Sequence, residues 1–153
     1  MKEDRVAKAI ALFKEGYNCS QSVVAAFADE YGFTREQALR MAASFGGGIG
    51  RMRETCGAAC GMFLLAGLET GATEGSDREG KAANYALVQE LAEVFKRRNG
   101  ALRCADLLGL SKKEPVISTP EARTEQYYAK RPCVKMVEEA AKIWSEYLEM
   151  HKK

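Results

Sequence analysis

The chain has 153 residues, 46% of them hydrophobic and 29% charged, which suffices for one domain with a core that needs no crosslinks. Its formal net charge of +2, with basic and acidic residues interleaved, argues against a nucleic-acid binder or a partner of an anionic membrane surface. The one histidine, His151, lies near the C-terminal end, so neither a hydrolytic triad nor a histidine-based metal site can be assembled.

Met1-Lys2-Glu3-Asp4-Arg5 opens the chain without an apolar core or a small-residue cleavage site, so no signal peptide is expected. The longest apolar stretch, Ala58 to Leu68, falls well short of the roughly 20 residues of a spanning helix. The expectation is a cytoplasmic protein with no membrane insertion. In a reducing compartment cysteines serve more often as metal ligands or catalytic thiols than as crosslinks, and an odd number, five, suits a closed disulfide framework poorly.

The first predicted helix carries Val6, Ala9, Ile10 and Phe13 at helical spacing and stops at Gly16. Asn18 is the expected N-cap of the second, which presents Val23, Val24, Phe27 and Tyr31 and ends at Gly32. Thr34-Arg35-Glu36-Gln37 is a capping box for a third helix through Met41 and Ala42. Gly46-Gly47-Gly48-Ile49-Gly50 cannot continue that helix and predicts an irregular corner. It lacks the ending of a phosphate-binding loop and no strand precedes it; Arg51 and Arg53 beside it could bind an anionic ligand near the corner, but the expectation is that they are solvated.

Thr55 is the expected cap of a fourth helix from about Cys56 to Leu68. A polar connector from Gly71 to Gly80 leads through Ser76 or Asp77 into a fifth, with Leu87, Leu91, Val94 and Phe95 on its apolar side. Lys96-Arg97-Arg98 suit the negative end of that helix, and Gly100 follows. A short helix holds Cys104, Leu107 and Leu108 before Gly109. The stretch from Ser111 to Thr119 is the least regular, and Glu121 to Tyr128 adds a turn or two. Pro132 suits a first helical residue, and Val134, Val137, Ala141, Trp144 and Leu148 form a stripe at steps of three and four. Tyr127, Tyr128 and Trp144 are expected in the core. With no β-alternation, no repeat and no domain boundary, residues 1–153 predict a single all-α domain, an antiparallel bundle of five to seven helices with a glycine-rich corner.

Four of the five cysteines thereby fall at helix starts: Cys19, Cys56, Cys104 and Cys133. Free amides and the helix dipole favour a thiolate there, by up to ~2 kcal/mol. Arg53, Arg103 and Arg131 stand close in sequence to three of them and would offset negative charge. Gly57 and Gly61 lie four apart on one helix face, with Ala58 beside them, and admit a backbone, a cofactor or a second thiol; tight helix packing accounts for the glycines alone equally well. Cys60, one turn beyond Cys56, is a spare ligand, a resolving thiol or a small core residue.

The run Gly16-Tyr17-Asn18-Cys19-Ser20-Gln21-Ser22-Val23, then Cys56-Gly57-Ala58-Ala59-Cys60-Gly61, then Cys104 and Cys133, resembles the C_GCAxxG_C_C family from about Gly16 to Trp144. The resemblance implies a redox role and an all-helical fold, with Cys19, Cys56, Cys104 and Cys133 as the family's four cysteines and Gly57, Ala58 and Gly61 as its small residues. Members are often encoded near transporters and oxidoreductases. It therefore implies a redox partner of that kind, the chain being an oxidoreductase or an electron-transfer component.

Four sulfurs without a histidine suit an iron–sulfur cluster first, with zinc as another occupant. Metal-free thiol–disulfide exchange, with Cys60 resolving Cys56, needs no cofactor. A helical adaptor with a structural zinc site is the non-enzymatic alternative. A homodimer is the expected assembly, from the habits of helical bundles alone.

Overall fold

The computed structural model describes residues 4–110 and 116–151. The expectations for Met1 to Glu3, and for Ser111 to Pro115 within the irregular stretch, lie outside the described residues. Among those described the fold is all-α, with helices α1 (Arg5–Lys14), α2 (Cys19–Phe27), α3 (Arg35–Ala42), α4 (Gly57–Thr70), α5 (Arg78–Asn99), α6 (Cys104–Leu108), α7 (Glu125–Lys130) and α8 (Cys133–Met150). The count is eight rather than five to seven, because the short segments α6 and α7 are each helical elements of their own. None of these helices is long and apolar enough to cross a membrane.

Helix ends follow local chemistry. Asn18 caps α2 reciprocally: its side chain accepts from the Gln21 amide at 2.8 Å, and Gln21 Oε1 accepts from the Asn18 amide at 3.0 Å. The same two side chains reach outward, Asn18 Nδ2 donating to the Ala43 carbonyl and Gln21 Nε2 to that of Leu39, both at 3.0 Å. One cap thus starts α2 at Cys19 and ties it to the end of α3. Thr34 and Gln37 form the second capping box, at α3, and Asp77 caps α5. Asn18→Ala is expected to cost about 1–2 kcal/mol, because it removes a cap and strands the Ala43 carbonyl. Urea denaturation measures it, and a loss below half that range would show the cap to be redundant.

Helix α2 stops at Phe27 rather than carrying through Tyr31, α7 starts at Glu125 rather than Glu121, and two boundaries at the cysteines differ as well. Thr55 does not cap α4; it pairs with Arg103 in an isolated antiparallel bridge, and Cys56 occupies the N-cap position with no side-chain cap bond. The cause is backbone pairing: the Cys56 amide donates to Leu102 O at 2.8 Å and the Cys104 amide to Glu54 O at 2.6 Å, which holds residue 55 extended. Pro132 is likewise the N-cap of α8 rather than its first residue.

Helix α2 lies against α1, α3, α4 and α8. Its approach to α4 is close because Gly61 lacks a side chain: a Cβ there would stand 2.9 Å from Val23 Cβ and 3.1 Å from Ser20 O. Trp144, Phe13, Phe27, Phe95, Met62 and Leu65 are fully buried between these helices. The core thus fixes the directions of α2, α4 and α8, and with them the positions of the residues at their N-terminal ends.

Candidate functional site: a sulfur-lined cavity

Cys19, Cys56, Cys104 and Cys133 line one cavity of about 430 Å³. Each enters from the start of a different helix: Cys19, Cys104 and Cys133 are the first residues of α2, α6 and α8, and Cys56 is the N-cap of α4. Cys19, Cys56 and Cys104 are buried and Cys133 is partly so; all are free thiols. The backbone zipper joining residues 53–56 to 102–105 brings Cys56 and Cys104 to the same wall.

Missing side chains make room for the sulfurs. A Cβ on Gly57 would stand 2.5 Å from Cys19 Sγ and 2.6 Å from Phe45 O, and one on Gly48 would stand 2.5 Å from Cys104 Cβ. Gly57 therefore serves thiol approach, whereas Gly61 serves helix packing. Ala58 is fully buried and does not line the cavity. Cys60 does not line it either; its Sγ lies 3.8 Å from Thr55 O.

The glycine corner wraps this site with unusual backbone. Gly47, Gly48, Ile49, Gly50 and Arg51 are consecutive left-handed residues, and Arg53 is a sixth. For isoleucine and arginine this conformation is costly, on the order of 1–3 kcal/mol each. The turn aims the Gly47 amide at Cys19 Sγ.

Burial decides the protonation of Cys19, Cys56, Cys60 and Cys133. It raises the pKa of Cys19, against the Gly47 amide that lowers it, and Cys104 nearby raises it further. Burial and then Cys19 raise Cys56 well above the thiol range, although the Ala59 and Ala58 amides oppose them. Cys60 and Cys133 are each pushed up to about 11, first by burial and then by Cys19. The helix starts do pull toward thiolate as expected, but desolvation outweighs them, so without a bound cation these groups hold their protons at neutral pH. Tyr127, which hydrogen-bonds Cys133, is pushed up to about 12 by burial and then by that neighbour.

The arginines sort differently from their order in sequence. Arg53 Nη1 donates to Cys104 Sγ at 3.6 Å, and Arg131 lines the cavity while pairing with Glu121 at 3.3 Å. Arg103 does not line it and pairs instead with Glu54 at the surface, 3.6 Å away. Two arginines that sequence reasoning left in solvent or passed over line the cavity as well. Arg51 donates to the carbonyls of Ile117 and Thr119. Arg123 donates to those of Phe13 and Tyr17 at 2.8 and 2.9 Å, its guanidinium 4.2 Å from the Phe13 ring centre. The glycine run next to Arg51 was the available signal for the first; nothing in the sequence marked Arg123. Tyr127 also lines the cavity, whereas Trp144 is core.

The donor set is all sulfur, the pattern of an iron–sulfur cluster or a tetrahedral zinc site. Among the described residues, however, no three Cys, His, Asp or Glu side chains form a group that could hold a metal ion. The sulfurs share a cavity and not yet a coordination sphere. No curated protein and no solved structure matches the chain. Residues 17–147 match the family described as "Putative redox-active protein (C_GCAxxG_C_C)", and a match over that length, with the four helix-start cysteines gathered at one cavity, makes this chain a member of it.

Proposed function

We propose that the protein is an electron carrier whose Cys19, Cys56, Cys104 and Cys133 together hold an iron–sulfur cluster. The observation that carries this reading is the shared cavity: four sulfurs from four helices border about 430 Å³ that no side chain fills. An exchange dithiol needs two cysteines and no such space. Buried thiols with raised pKa values are also poor nucleophiles, whereas a ligating metal takes them up as thiolates. A cluster spreads its cysteines over several iron atoms, which suits sulfurs that border one space without converging on one ion. A single zinc would require them to contract further.

The bound group would supply reversible one-electron chemistry. The chain's own part is to exclude water by burial, to direct the Gly47 amide at Cys19 and to set arginines against the added negative charge. The expected partner is another redox protein, of the oxidoreductase or transporter-linked kind.

Oxygen-free purification is expected to give brown protein with iron and acid-labile sulfide, bleached by dithionite. Serine at Cys19, Cys56, Cys104 or Cys133 is expected to lose most of the iron, and Cys60→Ser to keep it. Colourless protein after anaerobic reconstitution, or equal iron in all five variants, would overturn the reading.

One observation favours a second reading. Cys19 Sγ rests against Gly57, the residue next to Cys56, which makes Cys19 and Cys56 a candidate pair for a disulfide. Their oxidation would release two protons and pass two electrons to an acceptor disulfide. Mass mapping of an iron-free, oxidised sample would find Cys19 joined to Cys56 if this is the chemistry. Cys60 would stay free, contrary to the resolving role considered for it.

A further inference from the structure

The cavity has a second wall, of arginines, whose charge exceeds the one contact it makes to a sulfur. Arg51, Arg53, Arg123 and Arg131 border it, and among the described residues Glu121 is the one carboxylate that lines it. Each guanidinium has a partner: Arg51 the 117 and 119 carbonyls, Arg123 the 13 and 17 carbonyls, and Arg53 and Arg131 the lining residues Cys104 and Glu121. Burial, and then Arg53 and Arg131 nearby, disfavour the charge on Arg51, whereas Glu121 favours it.

The backbone adds an independent observation. Arg51 and Arg53 have φ of 60° and 62°, in a corner where the chain places glycine at 46, 47, 48 and 50. Glycine would satisfy those conformations at no steric cost. The chain instead carries two guanidinium groups in strained backbone, both lining the cavity, which points to the side chains as the purpose of the strain. The N-terminal ends of α2, α4 and α8 open on the same space and add positive potential.

We propose that this arginine wall binds a small oxyanion beside the sulfurs, with Arg51, Arg53 and Arg131 as its principal donors. Guanidinium forks match the paired oxygens of such an anion, and a partly buried cavity strengthens each charge-assisted bond. The binding does not depend on what the sulfurs carry; only the further role of the anion as substrate or effector of the redox centre rests on that reading.

Sulfate and phosphate are the probes, added to reduced, metal-free full-length protein and compared with chloride at matched ionic strength. Saturable stabilisation by the oxyanions over chloride is expected in thermal melts, with a dissociation constant from calorimetry. Arg53→Gly suits the left-handed backbone and is expected to fold, yet to bind at least about tenfold more weakly, the loss of one charge-assisted bond. Arg51→Gly is expected to do the same, and Arg103→Ala, which removes a guanidinium that meets Glu54 outside the cavity, to bind as wild type. Equal action of chloride, or unchanged binding in both glycine variants, would overturn the proposal. Iron uptake is read on separate anaerobic reconstitutions of the same variants: protein that takes up iron but whose metal-free form is indifferent to oxyanions sinks this site alone, and protein that binds sulfate but takes up no iron on reconstitution sinks the cluster alone.

Discussion

Replacing Gly57 with alanine is expected to destabilise the protein by about 1–3 kcal/mol, the usual cost of overpacking, and to push Cys19 out of place. The same change at Gly67, ten residues along α4, is expected to stabilise it by up to about 1 kcal/mol. Both residues sit in one helix, so both gain the helix preference of alanine. They differ in what the new methyl meets. At Gly67 nothing lies within 4 Å. At Gly57 a Cβ would press on Cys19 Sγ at 2.5 Å and on the Phe45 carbonyl at 2.6 Å. The sulfur could turn away, but the carbonyl is backbone at the entry to the glycine corner and cannot move without carrying Gly46 and Gly47 with it. Thermal melts should separate the two variants by several degrees; on this size scale 1–3 kcal/mol is about 3–10 °C. If the cavity holds a cluster, Gly57→Ala also lowers the iron content and Gly67→Ala does not. Two variants of equal stability would mean that Cys19 and the corner are loosely packed, and the shared cavity would lose its main geometric support.

Much of this architecture is legible in the sequence because helix ends are local events. Asn18, Thr34 and Asp77 cap where their side chains accept from the amide three residues on, and Gly32, Gly100 and Gly109 end helices in left-handed conformation. The four cysteines could be placed at helix starts for the same reason. Their convergence could be expected from the family pattern but not computed, since it depends on how α2 seats on α4 through Gly61 and how residue 55 pairs with residue 103. That pairing also explains the misassigned arginine. Along extended backbone successive side chains project to opposite sides, so Cys104 faces the cavity and Arg103 meets Glu54 at the surface. Sequence neighbours of a cysteine are thus poor guides to its spatial neighbours; Arg123, ten residues before Cys133, reaches the cavity from an irregular segment. The thiol chemistry erred for a similar reason: the dipole at a helix start is visible in the sequence, while the burial that outweighs it is a property of the packed chain.

That burial makes the reduced, metal-free protein sensitive to alkali, with a sign that can be worked out. An unfolded cysteine titrates near 8.5, whereas Cys60 and Cys133 in the fold are pushed up to about 11. The folded state therefore holds its protons longer. The stability tied to these thiols is complete below about pH 8.5 and drains away as pH rises toward 11. By pH 10 each contributes a loss of about 2 kcal/mol, and Cys19 and Cys56, raised in the same direction, add to it. Urea denaturation at pH 7.5 and pH 10, with reductant and chelator present, should show the drop. Cys60→Ala and Cys133→Ala should each shrink it by about 2 kcal/mol relative to their own values at pH 7.5. Iodoacetamide at pH 8 should modify Cys133 about 200-fold more slowly than an unfolded cysteine, in proportion to its thiolate fraction. A flat stability profile to pH 10, or rapid alkylation of Cys133, would place the thiols in water and dissolve the case for a dry centre. Cys60 supplies the internal control, because it is equally shifted but does not line the cavity. Loading the centre should abolish the alkaline loss that belongs to Cys133, whose sulfur would then be held as thiolate at every pH in the range, and leave the part that belongs to Cys60 untouched.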